Sequence, residues 1–547
     1  MVHEFKLVSS LEKVLFTKPE GVFEVTGGSM LKNEIHSFQL MGWRESGGWP
    51  YRADCKVEVE SPIAQYVKLY TVDYVPSLFP TYPGTQCEDY ISKQPGMFPD
   101  PLYELTEKRT WDLMDRQPRM LWVSVDPNGE IAGTYPITLK VYDEEKNLLC
   151  EKTYTLEIID KILPDLHIYN TGWFHGDCIA VHHGVELQSE EYFALLEEYM
   201  QVFKKFGHNL ILTPVFTPPL DTAIGGERPT NQLVQVTVNN GKYSFDFSLL
   251  KRFVDLVKKV GIPYYEISHL YTQWGARYAP KVMATVDGEY RQIFGWETDA
   301  LGEEYTRFMG EFLPQLTAFL KAEGIMERCR FHVSDEPNPE HTAQYAAAKE
   351  ILTKYVNEDQ CMDALSAYEL YESGAVKHPV VAINHINPWL EKNVEGLWAY
   401  YCCSATEKVT NRFLAMPSYR NRVLGTQLYK YDMKGFLQWG FNFWFAQRSI
   451  RVVDPYMDTS CGCGFPSGDA FMVYPKKNGE LVKSLRLYVF NEAMQDLRAL
   501  KLLEDLEGKD AAMALLDEIK SFEEYPRNCA YYLDLRQKIN EKIKAHA

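Results

Sequence analysis

Two adjacent carboxylates, Asp335 and Glu336, have the clearest potential for chemistry in this sequence. They follow a short apolar run at 330–333 and precede Pro337, which ends a strand and fixes the turn after it. A pair of acids at the end of a buried strand suits general acid and base catalysis. The structural alternative is that the acids only cap the following helix, an ordinary use of carboxylates at a helix N-terminus.

Aromatic and polar side chains follow several other predicted strands. Where such strand ends converge, rings can pack on sugar faces, while amides, imidazoles and carboxylates can bind hydroxyl groups. Some of these residues also have ordinary interpretations, Trp439 as a core residue and His269 as a side chain that holds a loop. With Asp335 and Glu336 as the catalytic residues, we expect a sugar site lined by Trp173, Asp221, His269, Tyr271, Gln273, Trp274, Trp439 and Asn442.

The histidines and cysteines do not predict a metal centre. His175, Asp177, His182 and His183 are close in sequence, but a metal-dependent barrel hydrolase needs ligands from several strand ends. The Cys461–Cys463 pair has no second pair at zinc-site spacing. We therefore predict neither a metal nor a cofactor.

Eight short apolar runs alternate with helical patterns through the middle of the chain. Buried parallel strands have this appearance, and the alternation with helices is typical of βα units. Eight such runs are the number that closes a barrel. The runs are 166–174, 209–215, 262–267, 330–333, 362–365, 380–383, 397–401 and 435–441, and the main helical stretches are 190–206, 247–260, 303–323 and 341–356.

The two ends of the chain have other patterns. An apolar run at 120–125 is followed by a turn signal at 126–129. Ile137, Leu139 and Val141 then alternate with other residues, and a polar turn at 143–147 leads to a second strand at 148–159, so this region predicts β structure with a hairpin. The sequence after Leu485 has helical periodicity. We therefore predict an α/β protein with an N-terminal β-sandwich over 1–160, a (β/α)8 TIM-type barrel over 161–480 and a helical C-terminal region over 481–547.

The charge balance limits the partners. The formal net charge is −18, which disfavours binding to nucleic acid or to an anionic membrane, since both need a basic surface. The N-terminus has no apolar segment of the secretory type, and no apolar run has the ~18 residues of a membrane span. We therefore expect a cytoplasmic protein that acts on a small glycoside or oligosaccharide. The sequence leaves open whether it forms a homo-oligomer.

Several motifs of the central region together resemble glycoside hydrolase family 123 and the related proteins with domain of unknown function 4091. They are TPVFTPP at 213–219, SHLYTQWG at 268–275 and HVSDEP at 332–337, with shorter matches at 411–413, 420–422, 435–440 and 465–469. The resemblance implies a β-N-acetylgalactosaminidase whose barrel is flanked by β-sandwich units. It also implies that Asp335 and Glu336 match the adjacent Asp-Glu pair of that family. The helical C-terminal region departs from the family pattern.

The adjacency of the two acids favours one mechanism over another. A retaining glycosidase with an enzymic nucleophile holds its carboxylates ~5–5.5 Å apart on either side of the bond that breaks, whereas neighbours on a strand point to opposite sides. We therefore expect a retaining exo-enzyme in which the 2-acetamido oxygen of the substrate attacks C1. Asp335 would stabilise the acetamido nitrogen, and Glu336 would protonate the leaving oxygen.

Two alternatives remain at this level. One is a glycosidase of another type that uses Glu266 or Asp363 as its nucleophile. The other is a carbohydrate-binding protein that has lost catalysis.

Overall fold

A computed structural model describes residues 2–47 and 51–547, and its N-terminal part is made of strands. Buried positions alternate with half-buried ones in the second half of Gly133–Tyr142, which is the pattern of a sheet with one apolar face. The strands are β1 (Val2–Ser9), β2 (Gly27–Leu31), β3 (His36–Glu45), β4 (Arg52–Glu60), β5 (Val67–Ser77), β6 (Gly96–Glu104), β7 (Trp111–Met114), β8 (Arg119–Val125), β9 (Gly133–Tyr142) and β10 (Leu148–Ile159).

These strands form two sheets that share one apolar core. One sheet has the order β1-β3-β8-β5-β6 and the other β2-β10-β9-β4-β7. Leu121 and Val123 of the first sheet belong to the same buried cluster as Leu139 and Leu156 of the second. The predicted hairpin is β9–β10, and Asp143 closes its turn by accepting a 2.8 Å hydrogen bond from the Asn147 N–H.

The central part alternates strands with helices. Each of its eight predicted apolar runs overlaps one strand of a parallel pair, and each of its four predicted helical stretches contains a helix. The elements are β11 (Tyr169–Gly172), α1 (Gly176–His183), α2 (Glu190–Lys205), β12 (Leu210–Thr213), β13 (Gln235–Asn239), β14 (Lys242–Asp246), α3 (Ser248–Val260), β15 (Tyr264–Ile267), β16 (Val282–Val286), β17 (Glu289–Phe294), α4 (Glu303–Ala322), β18 (Cys329–Phe331), α5 (Thr342–Thr353), β19 (Asp363–Leu365), α6 (Tyr368–Glu372), β20 (Pro379–Ala382), α7 (Asn387–Glu391), β21 (Trp398–Tyr400), α8 (Ser418–Lys430) and β22 (Gly435–Gln438).

Two parallel sheets organise this part. One has five strands in the order β11-β22-β21-β20-β19, and the other has three in the order β12-β15-β18. The Asn209 N–H donates to the Asn170 carbonyl at 3.0 Å where β12 meets β11, and the Met362 N–H donates to the Phe331 carbonyl at 2.9 Å where β19 meets β18. The protein is therefore a mixed α/β protein whose parallel strands direct their C-terminal ends to one face.

A four-stranded sheet in the order β14-β13-β16-β17 was not predicted. It is formed by the segments that follow β12 and β15, and we call it the insert sheet. β14 alternates between exposed and half-buried residues, and β17 is exposed over its first four residues. Such polar strands lack the apolar signal by which the other strands were predicted.

The C-terminal region is helical, as predicted, and it contacts both preceding parts. It contains β23 (Lys483–Ser484), α9 (Leu485–Glu507), α10 (Lys509–Met513) and α11 (Cys529–Lys544). β23 pairs with β6, α9 packs along α8, and α11 contacts β2. Arg486 anchors the start of α9 through a buried ion pair with Asp100 at 2.8 Å. Over the described residues, no helix combines the length and the apolar character needed to cross a membrane.

Candidate active site

Strand ends of both parallel sheets meet at a cleft of about 200 Å³. Asp335 and Glu336, which we call the cleft pair, reach it from the turn after β18. Seven of the ten residues predicted for the site line this cleft: Trp173, Asp221, Gln273, Trp274, Asp335, Glu336 and Trp439.

The cleft pair is half-buried, and its two acids differ in their contacts. The Tyr400 hydroxyl donates a 2.8 Å hydrogen bond to Oε1 of Glu336. The main chain of Asp335 is fixed by the Trp274 N–H, which donates to its carbonyl at 2.7 Å. Burial, and then the neighbouring charge of Glu336, raise the pKa of Asp335 well above its ordinary value.

Backbone strain is concentrated around this cleft. Glu336, Asp221, Trp274 and Arg448 line it, and all have positive φ, at 44°, 40°, 64° and 61°. Non-glycine residues rarely adopt this conformation, which costs ~1–3 kcal/mol each and tends to occur at functional sites. In this backbone conformation all four residues line the same cleft, and the strain lowers the stability of the fold.

Asp221 is the third acid of the cleft. Its Oδ2 accepts a 2.8 Å hydrogen bond from the Arg448 N–H, and its own N–H donates to Oε1 of Gln273 at 2.8 Å. Burial raises the pKa of Asp221 to about 6. The lining thus has three acidic residues, Asp221, Asp335 and Glu336, and one basic residue, Arg448. This excess of acids favours a substrate that gains positive charge during the reaction and disfavours an anionic substrate.

Trp439 closes another side of the cleft and is held from behind. Its Nε1–H donates to Oδ2 of the buried Asp469 at 2.9 Å, and its ring makes edge contacts with Phe443 and Phe465, each with centroids 5.0 Å apart. Burial raises the pKa of Asp469 to about 7. The indole is therefore fixed in position, and part of its surface is exposed to the cleft.

Beneath the cleft lies a group of two acids and a histidine, which we call the floor cluster. It consists of Glu266, His332 and Asp363 on adjacent strands or strand ends, all fully buried. His332 donates from Nε2 to Glu266 at 2.6 Å and from Nδ1 to Asp363 at 3.1 Å. Burial alone would lower the pKa of His332, but the bonds to Asp363 and Glu266 outweigh it and raise the pKa to about 10. The imidazole is therefore a cation between two carboxylates.

The remaining oxygens of the floor cluster also have partners. Glu266 accepts from the Trp173 Nε1–H at 2.7 Å and from the Thr171 hydroxyl at 2.5 Å. Asp363 accepts from the Tyr345 hydroxyl at 2.5 Å and from the Val333 N–H at 3.1 Å. Trp173 also lines the cleft, so the floor cluster fixes one wall of the site.

Three predicted site residues do not reach the cleft. His269 is buried against His332, with ring centroids 4.0 Å apart, and both of its ring nitrogens lack a protein partner. Tyr271 is buried against Tyr305. Asn442 is buried and exchanges two hydrogen bonds with the main chain of His175, at 2.8 and 3.0 Å. These side chains support the site from behind its surface.

His269, His332 and Asp363 come close enough together for a metal to be considered, but their geometry does not suit one. The two imidazoles are stacked with only 16° between their planes, so their lone pairs run in parallel planes and cannot meet at one ion ~2.0–2.1 Å away. Among the earlier histidine candidates, Asp177 instead forms a bidentate pair with Arg228, with both distances at 2.9 Å.

Several cleft residues were missed by sequence reasoning. Tyr400 ends β21, so the rule applied to the other strand ends would have found it. Gln447 and Arg448 lie in the irregular segment after β22, where no sequence pattern marks their position. Phe465 begins the motif at 465–469, but that motif was not assigned to the site. The full set of missed residues is Ala364, Tyr400, Cys402, Cys403, Leu437, Gln447, Arg448 and Phe465.

Comparison with solved structures shows a similar fold in a family 123 glycoside hydrolase from Clostridium perfringens, whose study concerned glycolipid glycan hydrolysis. The TM-score is 0.73 at 14% identity, with 100% of this chain and 98% of that chain covered. β-Glucuronidases from Parabacteroides merdae and Bifidobacterium dentium match more weakly. Their TM-scores are 0.31 and 0.32 at 11% and 8% identity, covering 85% and 90% of this chain and 50% and 66% of theirs.

No curated protein matches the chain in sequence. The model of the glycoside hydrolase 123 catalytic domain matches residues 173–503, which include the cleft pair and every strand end that lines the cleft. That match covers more than half of the chain and agrees with the structural likeness. The protein therefore belongs to glycoside hydrolase family 123.

Proposed function

We propose that the protein is a retaining exo-β-N-acetylgalactosaminidase that uses the 2-acetamido group of its substrate as the nucleophile. The observation that carries the proposal is the contrast between its acids. Asp335 and Glu336 are adjacent and face the cleft, whereas Glu266 and Asp363 are buried with their oxygens bonded to protein donors.

That contrast disfavours the alternative nucleophiles. A carboxylate that attacks C1 must expose a lone pair to the sugar. Glu266 gives its oxygens to Trp173, His332 and Thr171, and Asp363 is held by His332, Tyr345 and Val333. Use of either acid would require the floor cluster to come apart.

The cleft pair suits a division of roles. Glu336, held by Tyr400, would protonate the leaving oxygen as the bond from C1 breaks, and would later take a proton from the attacking water. Asp335, as a carboxylate, would accept a hydrogen bond from the acetamido N–H and balance the positive charge that develops when the acetamido oxygen attacks C1. An intramolecular nucleophile can reach an effective molarity of ~10⁵ M or more.

We also propose that the two parallel sheets form one (β/α)8-type barrel, with the β-sandwich over 1–160 and the helical region over 481–547 as its flanking units. The hydrogen bonds at both junctions support this arrangement, since they link β11 to β12 and β18 to β19. A barrel would explain why the cleft lies at the C-terminal ends of the strands.

The test compares an aryl β-N-acetylgalactosaminide with the matching galactoside, which carries a plain 2-hydroxyl. We expect turnover of the first only, and strong inhibition by a thiazoline analogue of the cyclic intermediate. Comparable rates on the two substrates, or a glycosyl ester trapped on Glu266 or Asp363, would contradict the mechanism. Absence of turnover on any aryl glycoside would favour an inactive carbohydrate-binding protein.

A further inference from the structure

Two adjacent thiols line the cleft that holds the cleft pair. Cys402 and Cys403, which we call the thiol pair, are both half-buried and both belong to its lining. All eleven cysteines of the chain are described, and no other two are neighbours in sequence. The proposed hydrolysis uses neither thiol, since its acid, its base and its nucleophile come from other groups. The thiol pair is therefore available to a different ligand.

A tight turn after β21 brings both sulfurs to the same surface. The Cys402 carbonyl accepts hydrogen bonds from the Ala405 N–H at 3.1 Å and from Nδ2 of Asn411 at 3.0 Å, and these bonds fix the turn. In an extended strand, two neighbouring side chains point to opposite faces. The turn therefore explains why Cys403 lines the same cleft as Cys402 instead of pointing away from it.

The two thiols are also hydrogen-bonded to each other. This bond with Cys403 and burial raise the pKa of Cys402 well above its ordinary value, and the negative charge of Glu336 adds to the shift. Cys402 therefore keeps its proton at neutral pH and donates a hydrogen bond to the sulfur of Cys403. The two sulfurs are thus close enough for one atom to bond to both, and they lie near an acid of the cleft pair.

An ordinary disulfide does not suit the thiol pair. Disulfides normally join residues whose Cα atoms are ~4.4–6.8 Å apart, whereas consecutive Cα atoms are ~3.8 Å apart. A direct bond between the sulfurs of two neighbours is therefore strained. One additional atom between the sulfurs enlarges the ring and relieves this strain, so the thiol pair favours a bridging ligand over oxidation to a disulfide.

A metal ion that needs three or four protein ligands does not suit the thiol pair either. Among the described residues, the one set of three His, Cys, Asp or Glu side chains whose ligand atoms lie within 4.8 Å of one another is His269, His332 and Asp363. The thiol pair thus has no third ligand in place. Zinc sites take three or four ligands from the protein. A ligand for the thiol pair must instead be satisfied by two sulfurs.

A trivalent arsenical with one organic group meets this requirement. In R–As=O, the arsenic atom exchanges its oxygen for two As–S bonds, and the oxygen leaves as one water molecule with both thiol protons. Arsenic stays trivalent, so the step needs no oxidant or reductant. The reagent is uncharged, so the acids of the cleft do not repel it. Its organic group can be a phenyl ring, since Trp439 and Phe465 offer aromatic contacts in the same cleft.

We propose that the thiol pair is a dithiol site, which binds one trivalent arsenical through both sulfurs and thereby blocks the cleft. Binding depends on the sulfurs, whereas the block of catalysis rests on the proposed function. The whole cleft has a volume of about 200 Å³, so an arsenic atom with its organic group occupies space that a sugar needs. The protein is then a glycosidase that a dithiol-directed reagent inactivates, although its proposed chemistry uses no sulfur.

The first measurement is the mass of the native protein after treatment with one equivalent of phenylarsine oxide. We expect one phenylarsenic group per chain, with loss of one water molecule. A peptide map should show Cys402 and Cys403 both protected from iodoacetamide. The dithiol dimercaprol should remove the group, and a monothiol at the same concentration should not, because two linked As–S bonds hold far better than one.

Cys402→Ser and Cys403→Ser each leave one sulfur, so each should weaken binding of phenylarsine oxide by about 10²-fold or more. Cys463→Ser is the matched control, because Cys463 is the exposed cysteine and does not line the cleft. This variant should bind the reagent as the wild type does. If a cleft variant does not fold, the peptide map of the wild type still identifies the bound thiols.

Four outcomes would overturn the dithiol site. They are no adduct, an adduct on any other cysteine, an adduct that a monothiol removes as readily as dimercaprol does, and an unchanged affinity in Cys402→Ser or Cys403→Ser.

Activity on an aryl β-N-acetylgalactosaminide tests the block of the cleft. We expect activity to fall in step with the fraction of chains that carry the phenylarsenic group, in the wild type and in Cys463→Ser alike, and to return with dimercaprol. Full activity in a protein that carries the group on both sulfurs would contradict the block. If the untreated protein turns over no aryl glycoside, the proposed function fails, and the mass measurement still decides whether the dithiol site exists.

Discussion

The cleft pair and the floor cluster each contain one aspartate and one glutamate, but in opposite surroundings. Glu266 and Asp363 are fully buried, and a histidine cation with a pKa of about 10 lies between them. Asp335 and Glu336 are half-buried, and among the described residues no hydrogen bond is donated to the carboxylate of Asp335. His332 is only three positions from Asp335, so proximity in sequence does not decide the surroundings.

The difference shows that residues near one strand end can have two roles, since some stabilise the fold and others are available for catalysis. A buried carboxylate whose lone pairs are filled is stable and inert, since every change of its charge or position breaks hydrogen bonds. A carboxylate with free lone pairs and a raised pKa is costly to the fold but available to a substrate. The following predictions, from the largest expected effect to the smallest, test this distinction.

Glu336→Gln should have the largest effect on activity. Loss of a general acid typically costs ~10²–10⁴-fold in rate, so kcat/KM should fall by about that much on substrates with poor leaving groups and by less on good ones. The melting temperature should change little. The measurement is steady-state kinetics over a series of aryl leaving groups. The milder control is Tyr400→Phe, which keeps Glu336 and removes the 2.8 Å bond to it together with a 3.3 Å bond between the Tyr400 and Ser366 hydroxyls. Equal losses across the series would remove Glu336 from the acid role.

Asp335→Asn should lower kcat/KM by about 10²-fold, as does the loss of a strong electrostatic stabiliser, and should also stabilise the fold. Because the pKa of Asp335 is raised in the folded state, this group lowers the stability as pH rises above the ordinary pKa of an aspartate, ~3.9, and the loss is complete above the raised pKa. The gain in melting temperature should therefore be present at neutral pH and vanish in strong acid. A variant less stable than the wild type at neutral pH would place Asp335 with the floor cluster.

Glu266→Gln should affect stability more than chemistry. It leaves the His332 cation with one carboxylate, and breaking a buried ion pair costs ~3–5 kcal/mol in the free energy of unfolding. Because the pKa of His332 is raised to about 10, the stabilisation is complete below its ordinary pKa, ~6.5, and is lost as pH rises through about 10. Chemical denaturation at several pH values checks this. A loss of kcat/KM greater than that of Asp335→Asn would contradict the assignment.

Trp173→Phe should have the smallest effect, because it removes one hydrogen bond, which joins a wall of the cleft to the floor cluster. It keeps a ring at the cleft but removes the N–H that donates to Glu266 at 2.7 Å. We expect a loss of ~1 kcal/mol in stability, typical of one hydrogen bond, and a change of a few-fold in KM. Denaturation and kinetics on one aryl glycoside measure both. If neither the stability nor KM changes, the floor cluster does not fix the wall of the cleft that Trp173 forms.

Much of the fold follows from local patterns. Strands buried on both faces are apolar throughout, so each of the eight parallel strands was found, and α3 was found from its amphipathic periodicity. The insert sheet was missed because its strands are largely polar, and only pairing between distant segments makes them strands. Trp296, which lies just after β17, joins this sheet to another loop by donating a hydrogen bond to the Gly226 carbonyl.

The sequence by itself determined the position of the cleft pair, because a strand that ends in Asp-Glu-Pro places its acids at the edge where the other strand ends meet. Tertiary structure decided which acids stay free to react. Glu266, His332 and Asp363 are separated by 66 and 31 positions, and nothing in their local sequences indicates that they share hydrogen bonds. Only the tertiary structure shows that His269, Tyr271 and Asn442 are buried behind the cleft surface and that Arg448 lines the cleft. The physical reason is that hydrogen bonding and burial depend on neighbours from other strands, whereas periodicity depends only on neighbours along the chain.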